Sequence, residues 1–508
     1  MDKNLLLAVS LSILVYAGWF GFVEKRMAKN APSKPPVAAQ FSDAAKPAAS
    51  ATGAAAPEPL KKVSNSIDAA EDEVASKYGG ADIRIRPHGA AIASWKYQGP
   101  RGLVELVANP APGLLATFPD LKFQRSPANP LAFTAASGAL KITKEFVAPA
   151  SDTELPRLRV TIVNAGSKPA QTPDWGVSVG PGLGTIPTEE KENAKVMRSL
   201  GLSKPESGLR GKVQVFKESG PVASDFLWLG VDNRYFLAAL LPKEGDFPKA
   251  AARDNHTVEI EAAPATLAPG QSKTWEVPFY VGAKGQTWLS RYKAGLERSI
   301  DFGFFAQLGR FILKVLGRIH DVTGNWGWSI ILLTMMIQLV MFPLTFKSLK
   351  ATSAMRRLQP EIARLQQRYS KDPQKLNVEM MSLYKKHGAN PLGGCLPMLV
   401  QMPVFVALYN ALRNAWELHG ASWIFWIHDL SAKDPYYVLP VVMGGLMFAQ
   451  NKLNPAAGVD PAQQQMMTFM PIIFTVMFMN FPSGLVLYWL TNSLVSTLQQ
   501  LALRDRLA

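Results

Sequence analysis

The sequence predicts a polytopic α-helical membrane protein with six spans, a large exported all-β sandwich domain and a cytoplasmic helical hairpin. Three observations support this fold class: charge-free apolar blocks long enough to cross a bilayer, a middle region of alternating apolar residues, and a short basic segment between two of the blocks. The mean hydropathy of +0.03 is therefore an average over unlike regions.

The composition bounds the class of protein. With 48% apolar and 18% charged residues among 508, it excludes a wholly disordered chain, a collagen and a disulfide scaffold. Because Cys395 is the single cysteine, any exported part must be held together by packing alone. The net charge of +15 is uneven, since residues 24–300 carry 35 basic and 28 acidic side chains while residues 347–395 carry 10 and 3.

The first apolar block, residues 5–23, is long enough to span a membrane. A cleaved signal peptide is the competing interpretation, but it would have a shorter apolar region and a small-residue cleavage site, whereas charged residues follow directly at 24–26. We predict an uncleaved anchor over residues 1–23 and an Ala/Pro-rich linker over residues 24–74.

Five further apolar blocks crowd the last third of the chain. The predicted spans are residues 326–346, 392–412, 436–451, 466–481 and 483–503. The loop between the first two is the most basic, so the positive-inside rule places it in the cytoplasm. Both termini are then cytoplasmic and residues 24–325 are exported. The charges flanking the first span oppose this topology, and the richer basic loop outweighs them.

Residues 75–285 predict an antiparallel β-sandwich. Leu158, Val160 and Ile162 alternate with polar residues, and Gly/Pro-rich turns separate such runs. The region lacks the motifs of zinc proteases, P-loop enzymes and α/β-hydrolases, so no catalytic, cofactor or metal site is predicted. Sugar or protein binding is the alternative, and it rests on fold alone.

Residues 286–324 predict an amphipathic interfacial helix region, with a helix at about 296–320. Its cationic face carries Arg310, Lys314 and Arg318. The apolar face carries Phe304, Phe305, Leu308, Phe311, Ile312, Val315 and Ile319. An ordinary helix packed on the sandwich is the alternative interpretation.

Residues 347–391 predict a hairpin of two helices broken at residues 370–373. One apolar stripe comprises Leu358, Ile362, Leu365 and Tyr369, and the other comprises Leu376, Met380, Leu383 and His387. The predicted solvent face carries Arg356, Arg357, Arg364, Arg368, Lys371 and Lys375. Such a face is either simply solvated or binds an acidic or RNA-bearing partner such as the ribosome.

Amides and hydroxyls recur inside the predicted spans, where an uncompensated polar group is costly. They are Thr334, Gln338, Gln401, Asn410, Thr475, Asn480, Asn492, Ser493, Ser496 and Thr497. They either join helices by ordinary hydrogen bonds or line a wet concavity that accepts a polar substrate. The residues alone leave both interpretations open.

Several long motifs follow one another in the last third. They are NWGWSIILLT at 325–334, NPLGGCLPMLVQMPVF at 390–405, WIHDLSAKDPYYVLP at 426–440, QQMMTFMPIIFT at 464–475 and FPSGLVLYWLTN at 481–492. In this order they resemble the YidC membrane insertases of Gram-negative bacteria, in the YidC/Oxa family. With the anchor, sandwich and hairpin, the likeness covers essentially the whole chain.

The resemblance implies a non-enzymatic insertase of the bacterial inner membrane, with a periplasmic sandwich and a five-helix core over residues 325–508. The core would enclose a hydrophilic groove, and the protein would act alone or with the Sec translocon. The implied groove residues are Thr334, Gln338, Gln401, Met402, Phe405, Tyr488 and Trp489, with Asn492 assigned to the same groove. The expected partners are nascent membrane proteins, the Sec translocon, the ribosome through the hairpin, and lipid. We expect a monomer without cofactors or recognition of a specific nucleic acid sequence.

One position departs from the family pattern. The family usually places an arginine in the second span where this chain has Gln338. An amide can donate and accept hydrogen bonds but offers no charge to an incoming polypeptide. We therefore predict that substrate choice depends less on tail charge here than in arginine-bearing relatives.

Two other classes of protein would show different features. A transporter would show an internal repeat or ionisable residues in its spans, and neither is evident from residue 326 onward. A periplasmic glycan- or protein-binding envelope protein with a structural membrane bundle would depend on residues 75–285 rather than on the hairpin.

Overall fold

A computed structural model describes most of the chain beyond residue 72. The described residues are 73–78, 80–205, 211–222, 225–370, 372–388, 396–453 and 461–507. The predicted anchor and nearly all of the predicted linker lie outside them, as do Lys371 and the start of the 392–412 block. The chain divides into two compact units, one containing residues 360–389 and one containing residues 63–359 and 390–508.

An antiparallel β domain occupies the first part of the described chain. Its strands are β1 (Val74–Tyr78), β2 (Ala81–Ile85), β3 (Ile92–Gly99), β4 (Gly102–Glu105), β5 (Gln124–Arg125), β6 (Ala132–Ser137), β7 (Leu140–Val147), β8 (Arg157–Asn164), β9 (Ala170–Gln171), β10 (Gly176–Val179), β11 (Arg198–Ser203), β12 (Val213–Phe216), β13 (Gly220–Val222), β14 (Phe226–Asp232), β15 (Phe236–Leu240), β16 (Lys249–Arg253), β17 (Thr257–Glu261), β18 (Thr266–Leu267) and β19 (Ser272–Ala283).

These strands form one large sheet and several smaller ones. The large sheet has the order β12-β11-β14-β15-β19-β8-β7-β6-β5. Two four-stranded sheets have the orders β1-β2-β3-β4 and β10-β17-β16-β13, and β18 pairs with β9. Neighbouring strands pair antiparallel throughout. The predicted antiparallel β-sandwich is thereby confirmed.

The alternation in the sequence sets which side chains enter the sandwich core. On β8, Leu158, Val160 and Ile162 are buried, as period-two geometry requires. On the adjacent β19, Trp275 lies opposite Val160 and is also fully buried. Between these core residues, Arg159 points the other way and pairs with Glu145 and Glu276 across the neighbouring strands.

Helices make up the rest of the described chain. They are α1 (Glu190–Val196), α2 (Gln286–Leu289), α3 (Ala306–Thr323), α4 (Trp326–Arg357), α5 (Gln359–Arg368), α6 (Pro373–Lys386), α7 (Leu396–Asn414), α8 (Val438–Leu453), α9 (Pro461–Phe478) and α10 (Ser483–Leu507). The predicted break within the hairpin falls between α5 and α6. Helices α7, α8, α9 and α10 overlap the apolar blocks 392–412, 436–451, 466–481 and 483–503, with ends that differ by up to five residues.

One predicted helix start is wrong, and one predicted span lies within a longer helix. The helix expected from about residue 296 begins only at Ala306, because the Asp301 carboxylate accepts from the Gly303 N–H and holds a turn there. Gly303 has a φ of +66°, which ends any helical path through it. The predicted span of residues 326–346 lies within a longer helix that continues to Arg357, since Pro343 is accommodated inside α4.

Only a short turn separates α3 from α4. Gly324 has a left-handed φ of 64° and closes α3 through its N–H to the His320 carbonyl. The Asn325 side chain then caps α4 by accepting from the N–H groups of Gly327 and Trp328 at 2.9 and 3.2 Å. The motif NWG thus sets the first turn of the predicted span.

The inner face of α3 differs from the predicted one. Its buried residues include Ile312, Leu313 and Leu316, whereas Phe311 is exposed beside Lys314 and Arg318. The buried residues belong to a core shared with Ile330 and Leu333 of α4, Ala407, Leu408, Ala411 and Leu412 of α7, and Leu485, Leu487 and Tyr488 of α10. The apolar stripe therefore packs on other helices and not on the sandwich alone.

Among the described residues, one helix, Trp326–Arg357, is by itself long and apolar enough to cross a membrane. A shorter apolar stretch, Thr468–Phe478, lies within α9. The count of six spans stays a prediction.

Candidate functional site

A polar cluster joins α4 to α10 within otherwise apolar helices. The Gln338 amide donates to the Asn492 side-chain carbonyl and to the Ser496 hydroxyl, the latter at 3.2 Å. Gln338 is 6% exposed and Asn492 is half-buried. At a rise of 1.5 Å per residue, Gln338 lies about 18 Å along α4 and Asn492 about 14 Å along α10. Both distances are about half of the thickness of a hydrocarbon core, which is about 30 Å.

Most of the hydroxyls inside the predicted spans form hydrogen bonds within their own helices. Thr334 donates to the Ile330 carbonyl at 2.7 Å, and Thr475 donates to the Pro471 carbonyl at 2.7 Å. Thr497 does the same to Ser493 at 2.8 Å. Because each hydroxyl bonds one turn back, its hydrogen is not available to another molecule. Thr334 shares the buried face with Gln338 but contributes no donor to the cluster.

A second group forms where α7 meets α10 and α9. The Gln401 amide donates to the Tyr488 hydroxyl, which is almost wholly buried. The Phe405 ring meets Trp489 edge-on at 4.9 Å, and Trp489 also contacts Phe478 of α9. Met402, on the same helix as Gln401, is 39% exposed. The predicted groove residues therefore form two groups, one around Gln338 and one around Trp489.

Residues that follow α7 lie against the sandwich. Trp416 belongs to the sandwich core and contacts Tyr97, Tyr235 and Phe236 with ring centroids 5.1 to 5.9 Å apart. The Glu417 carboxylate accepts from the Gln286 N–H at 2.8 Å, at the start of α2. Burial raises the pKa of the Glu417 carboxyl, although backbone N–H groups lower it in part.

A histidine lies at the same junction. The His419 ring stacks on Trp416 at 4.8 Å and lies 5.3 Å from the Tyr235 ring. Asp429 is its nearest acid at 3.9 Å, but Arg101 of the β3–β4 turn also approaches Asp429, at 3.3 Å. Burial lowers the pKa of His419 below its usual 6.5.

A buried ionic cluster holds the segment before α3. Asp232 is fully buried and pairs with Lys284 and Arg198, each at 2.7 Å. Arg198 also reaches the Asp301 carboxylate at 2.9 Å, while Asn414 at the end of α7 donates to the Asp301 carbonyl at 2.7 Å. The cluster thus connects the sandwich, the turn before α3 and the end of α7.

The basic residues of the predicted hairpin lie on exposed helix surface. Arg364 and Arg368 of α5 and Lys375 of α6 are exposed, and the Lys375 ammonium lies over the Tyr369 ring at 5.4 Å. Arg357, at the end of α4, is exposed and Arg356 is half-buried. Inside the hairpin, Ile362 is buried as predicted, whereas Tyr384, which lies outside the predicted stripe, is buried as well.

Two family models match separate parts of the chain. The model described as 60Kd inner membrane protein matches residues 318–508, and the model described as YidC periplasmic domain matches residues 192–315. Membrane protein insertase YidC of Endomicrobium trichonymphae is 39% identical over 430 residues, covering 81% of this chain and 81% of that relative. The chain belongs to the YidC family of membrane protein insertases.

Other YidC relatives align over a smaller share of their length. The insertase of Thioalkalivibrio sulfidiphilus is 45% identical over 280 residues, covering 54% of this chain and 50% of the relative. That of Cupriavidus taiwanensis is 38% identical over 363 residues, covering 71% and 61%. A solved structure described as an active YidC insertase is 18% identical with a TM-score of 0.41, covering 85% of this chain and 92% of that one.

YidC membership assigns the chain to the inner membrane, with membrane proteins as its substrates and the bilayer as its surroundings. In the part of the chain that the structure describes, no group of three or more His, Cys, Asp or Glu side chains could hold a metal ion.

Sequence reasoning missed the junction with the sandwich. Trp416, Glu417 and His419 lie within six residues of the end of α7 and were not singled out. A charged residue and a histidine beside a tryptophan, directly after a predicted span, were the available signal. Their contacts with the sandwich, at Tyr97, Tyr235, Phe236 and Gln286, are more than a hundred residues away in sequence, which no local pattern indicates.

Proposed function

We propose that the helical core of this YidC-family chain carries the polar part of a client across the bilayer past Gln338 and Asn492. The client's apolar segment would move along α7 and α9, next to Met402, Phe405 and Trp489. The single observation that supports this path is the amide cluster of α4 and α10, near mid-bilayer depth in apolar helices. Polar groups at that depth lower the cost of a crossing polar residue, and burial of the apolar segment drives insertion.

The neutral character of the cluster sets its expected selectivity. Gln338 and Asn492 carry no charge, so they neither attract an acidic tail nor repel a basic one. Insertion by this chain should therefore vary less with the charge of the translocated tail than insertion by a Gln338→Arg variant.

A reconstituted insertion assay tests this selectivity. Wild type, Gln338→Arg and Gln338→Ala would be compared with single-span clients whose tails differ only in charge. We expect wild type to insert all tails at similar rates and the arginine variant to favour acidic tails. A nearly inactive wild type that Gln338→Arg alone restores would contradict the proposal.

The ribosome, the Sec translocon and the membrane topology belong to the same proposal. The exposed cations Arg364, Arg368 and Lys375 support an acidic partner on the cytoplasmic side, and the ribosome is such a partner. We propose that the protein acts as a monomer, alone or with the Sec translocon. Residues 24–325 would be periplasmic and both termini cytoplasmic.

Separate deletions of residues 75–285 and of the hairpin distinguish insertion from envelope binding. We expect loss of the hairpin to reduce insertion of a one- or two-span protein strongly, and loss of the sandwich to reduce it less. Dependence on the sandwich alone would favour a periplasmic glycan- or protein-binding role and contradict the proposed path. The full-length chain carrying Arg364→Glu and Arg368→Glu keeps the hairpin and reverses two of its charges. It therefore tests the effect of charge on insertion without the effect of deleting a folded segment.

A further inference from the structure

The amide pair of Gln338 and Asn492 has unused hydrogen-bonding groups on both side chains. The Gln338 Nε2 group supplies every hydrogen bond of the pair, to the Asn492 side chain, to the Asn492 backbone carbonyl at 3.4 Å and to Ser496. Among the described residues, no partner is recorded for Gln338 Oε1 or for Asn492 Nδ2. One acceptor and one donor are thus unused. Exchanging oxygen and nitrogen in both amides leaves the same count.

These unused groups lie where polar groups ordinarily find partners. An unsatisfied carbonyl or N–H in a bilayer interior is costly, so natural spans satisfy it within the protein. The neighbouring threonines follow this rule, because Thr491 and Thr497 bond back to their own helix at 2.8 Å. The amide pair departs from it beside those threonines, on the half-buried side of α10.

One donor and one acceptor held by neutral amides match the chemistry of a peptide group. Every residue of a client except proline presents a backbone N–H donor and a C=O acceptor. A polar segment crossing the membrane has lost water from these groups and has no helix or sheet of its own to satisfy them. A charged side chain, by contrast, finds no opposite charge in the amide pair itself.

We propose that Gln338 and Asn492 form a backbone-binding site for an extended polypeptide. The free carbonyl accepts from a client N–H and the free amide donates to a client C=O, so each crossing peptide group is satisfied in turn. Recognition is independent of side chains, with proline as the exception. This inference rests on the proposed function and identifies the backbone peptide group as the part of the client that the site binds.

Proline-bearing tails test the site with the full-length protein in proteoliposomes. Two single-span clients would share one span and carry a neutral Ser/Ala tail or the same tail with alternate residues changed to proline. Wild type should insert the Ser/Ala tail about three- to tenfold faster, the effect of about one hydrogen bond. Asn492→Leu removes the donor for a client C=O, which both tails keep, so it should slow both tails and retain the preference for the Ser/Ala tail.

Two further variants separate binding from the contact between helices. Ser496→Ala removes an acceptor for Gln338 but keeps both free ends, so it should retain the preference for the Ser/Ala tail. Gln338→Met removes the free carbonyl, which accepts the client N–H, with a side chain of similar length, and should abolish the preference for the Ser/Ala tail.

Three outcomes would overturn the inference. Equal insertion of both tails by wild type, an unchanged preference in Gln338→Met, or loss of the preference in Ser496→Ala would each do so while leaving the insertion path intact. Failure of wild type to insert either client would instead contradict the proposed function, and the inference with it.

Discussion

Trp416 shows how a single side chain connects the helical core to the sandwich. It follows α7 by two residues, yet its ring packs with Tyr97 and Phe236 and is 4% exposed. Large aromatic rings contribute strongly to a core because they bury much apolar area. Trp416 therefore fixes the carboxyl end of α7 against the sheet.

Replacing Trp416 tests this contribution. Trp416→Ala should lower the free energy of unfolding by about 3–5 kcal/mol, the usual cost of emptying a buried aromatic site. Denaturant unfolding of the full chain in detergent measures it. Trp416→Phe should lose less, and Phe425→Ala, which changes a ring that is 79% exposed, should change little. An effect of Trp416→Ala no larger than that of Phe425→Ala would contradict the assigned packing.

His419 gives the junction a pH dependence. Burial lowers its pKa below 6.5, against the attraction of Asp429 and with the repulsion of Arg101. Because the folded chain favours the neutral ring, the stability contribution is complete above about pH 6.5 and is lost as the pH falls through the lower folded pKa.

The melting temperature measured between pH 8 and pH 5 tests that dependence. The wild-type value should fall toward pH 5, and His419→Phe should flatten the fall because it keeps the stacking on Trp416 and removes the titration. Identical pH profiles for the two proteins would show that His419 does not control this part of the dependence.

At the scale of elements, the Asp232 cluster holds β11, β14 and β19 to the turn before α3. Lys284 and Arg198 share one buried carboxylate, and burial lowers the pKa of Lys284 while Asp232 raises it in part. Removing one partner of a buried ion pair leaves an uncompensated charge. Loss of the Asp232 carboxylate should therefore reduce stability more than loss of the carboxylate of an exposed ion pair would.

Asp232→Ala should lower the free energy of unfolding by about 3–5 kcal/mol, as expected when a buried ion pair is broken. Glu244→Ala is the matched control, because it breaks the pair between Lys204 and a glutamate that is 82% exposed. It should have no measurable effect. Urea unfolding measures the free energy of unfolding of both variants. Equal losses in that free energy would mean that burial of Asp232 does not affect stability.

The α3 helix shows the limit of periodicity at this scale. The sequence correctly marks the amphipathic character, and Ile312 is buried as expected. It does not show that Leu313 and Leu316 share the buried face while Phe311 lies outside, 63% exposed. That choice depends on where α4 and α7 lie, which the pattern within α3 does not contain.

At the scale of the whole molecule, the uneven charge predicts the topology. The basic segment 347–395 should be cytoplasmic and the sandwich periplasmic. The single cysteine makes this measurable after Cys395→Ser. An impermeant thiol reagent added to intact cells with a permeable outer membrane should label Lys249→Cys and should label Lys375→Cys only after lysis. Labelling of both positions in intact cells would contradict the topology.

The sequence by itself determined the features that depend on neighbours in the chain. Period-two alternation set the buried residues of β8 and β19, charge-free blocks located most of the long helices, and the NWG motif marked the start of α4. The i, i+4 spacing also placed Thr334 and Gln338 on one buried face. These features are local because backbone geometry repeats over two or about 3.6 residues.

Only the tertiary structure decided which faces meet. The bond from Gln338 to Asn492 spans 154 positions, and the bond from Gln286 to Glu417 spans 131. A sequence pattern states which residues are polar or apolar, but hydrogen bonds are short and directional, so they form only where two elements are packed in one register. That packing joined Gln338 to Asn492 and left one acceptor and one donor of the pair without a recorded partner among the described residues.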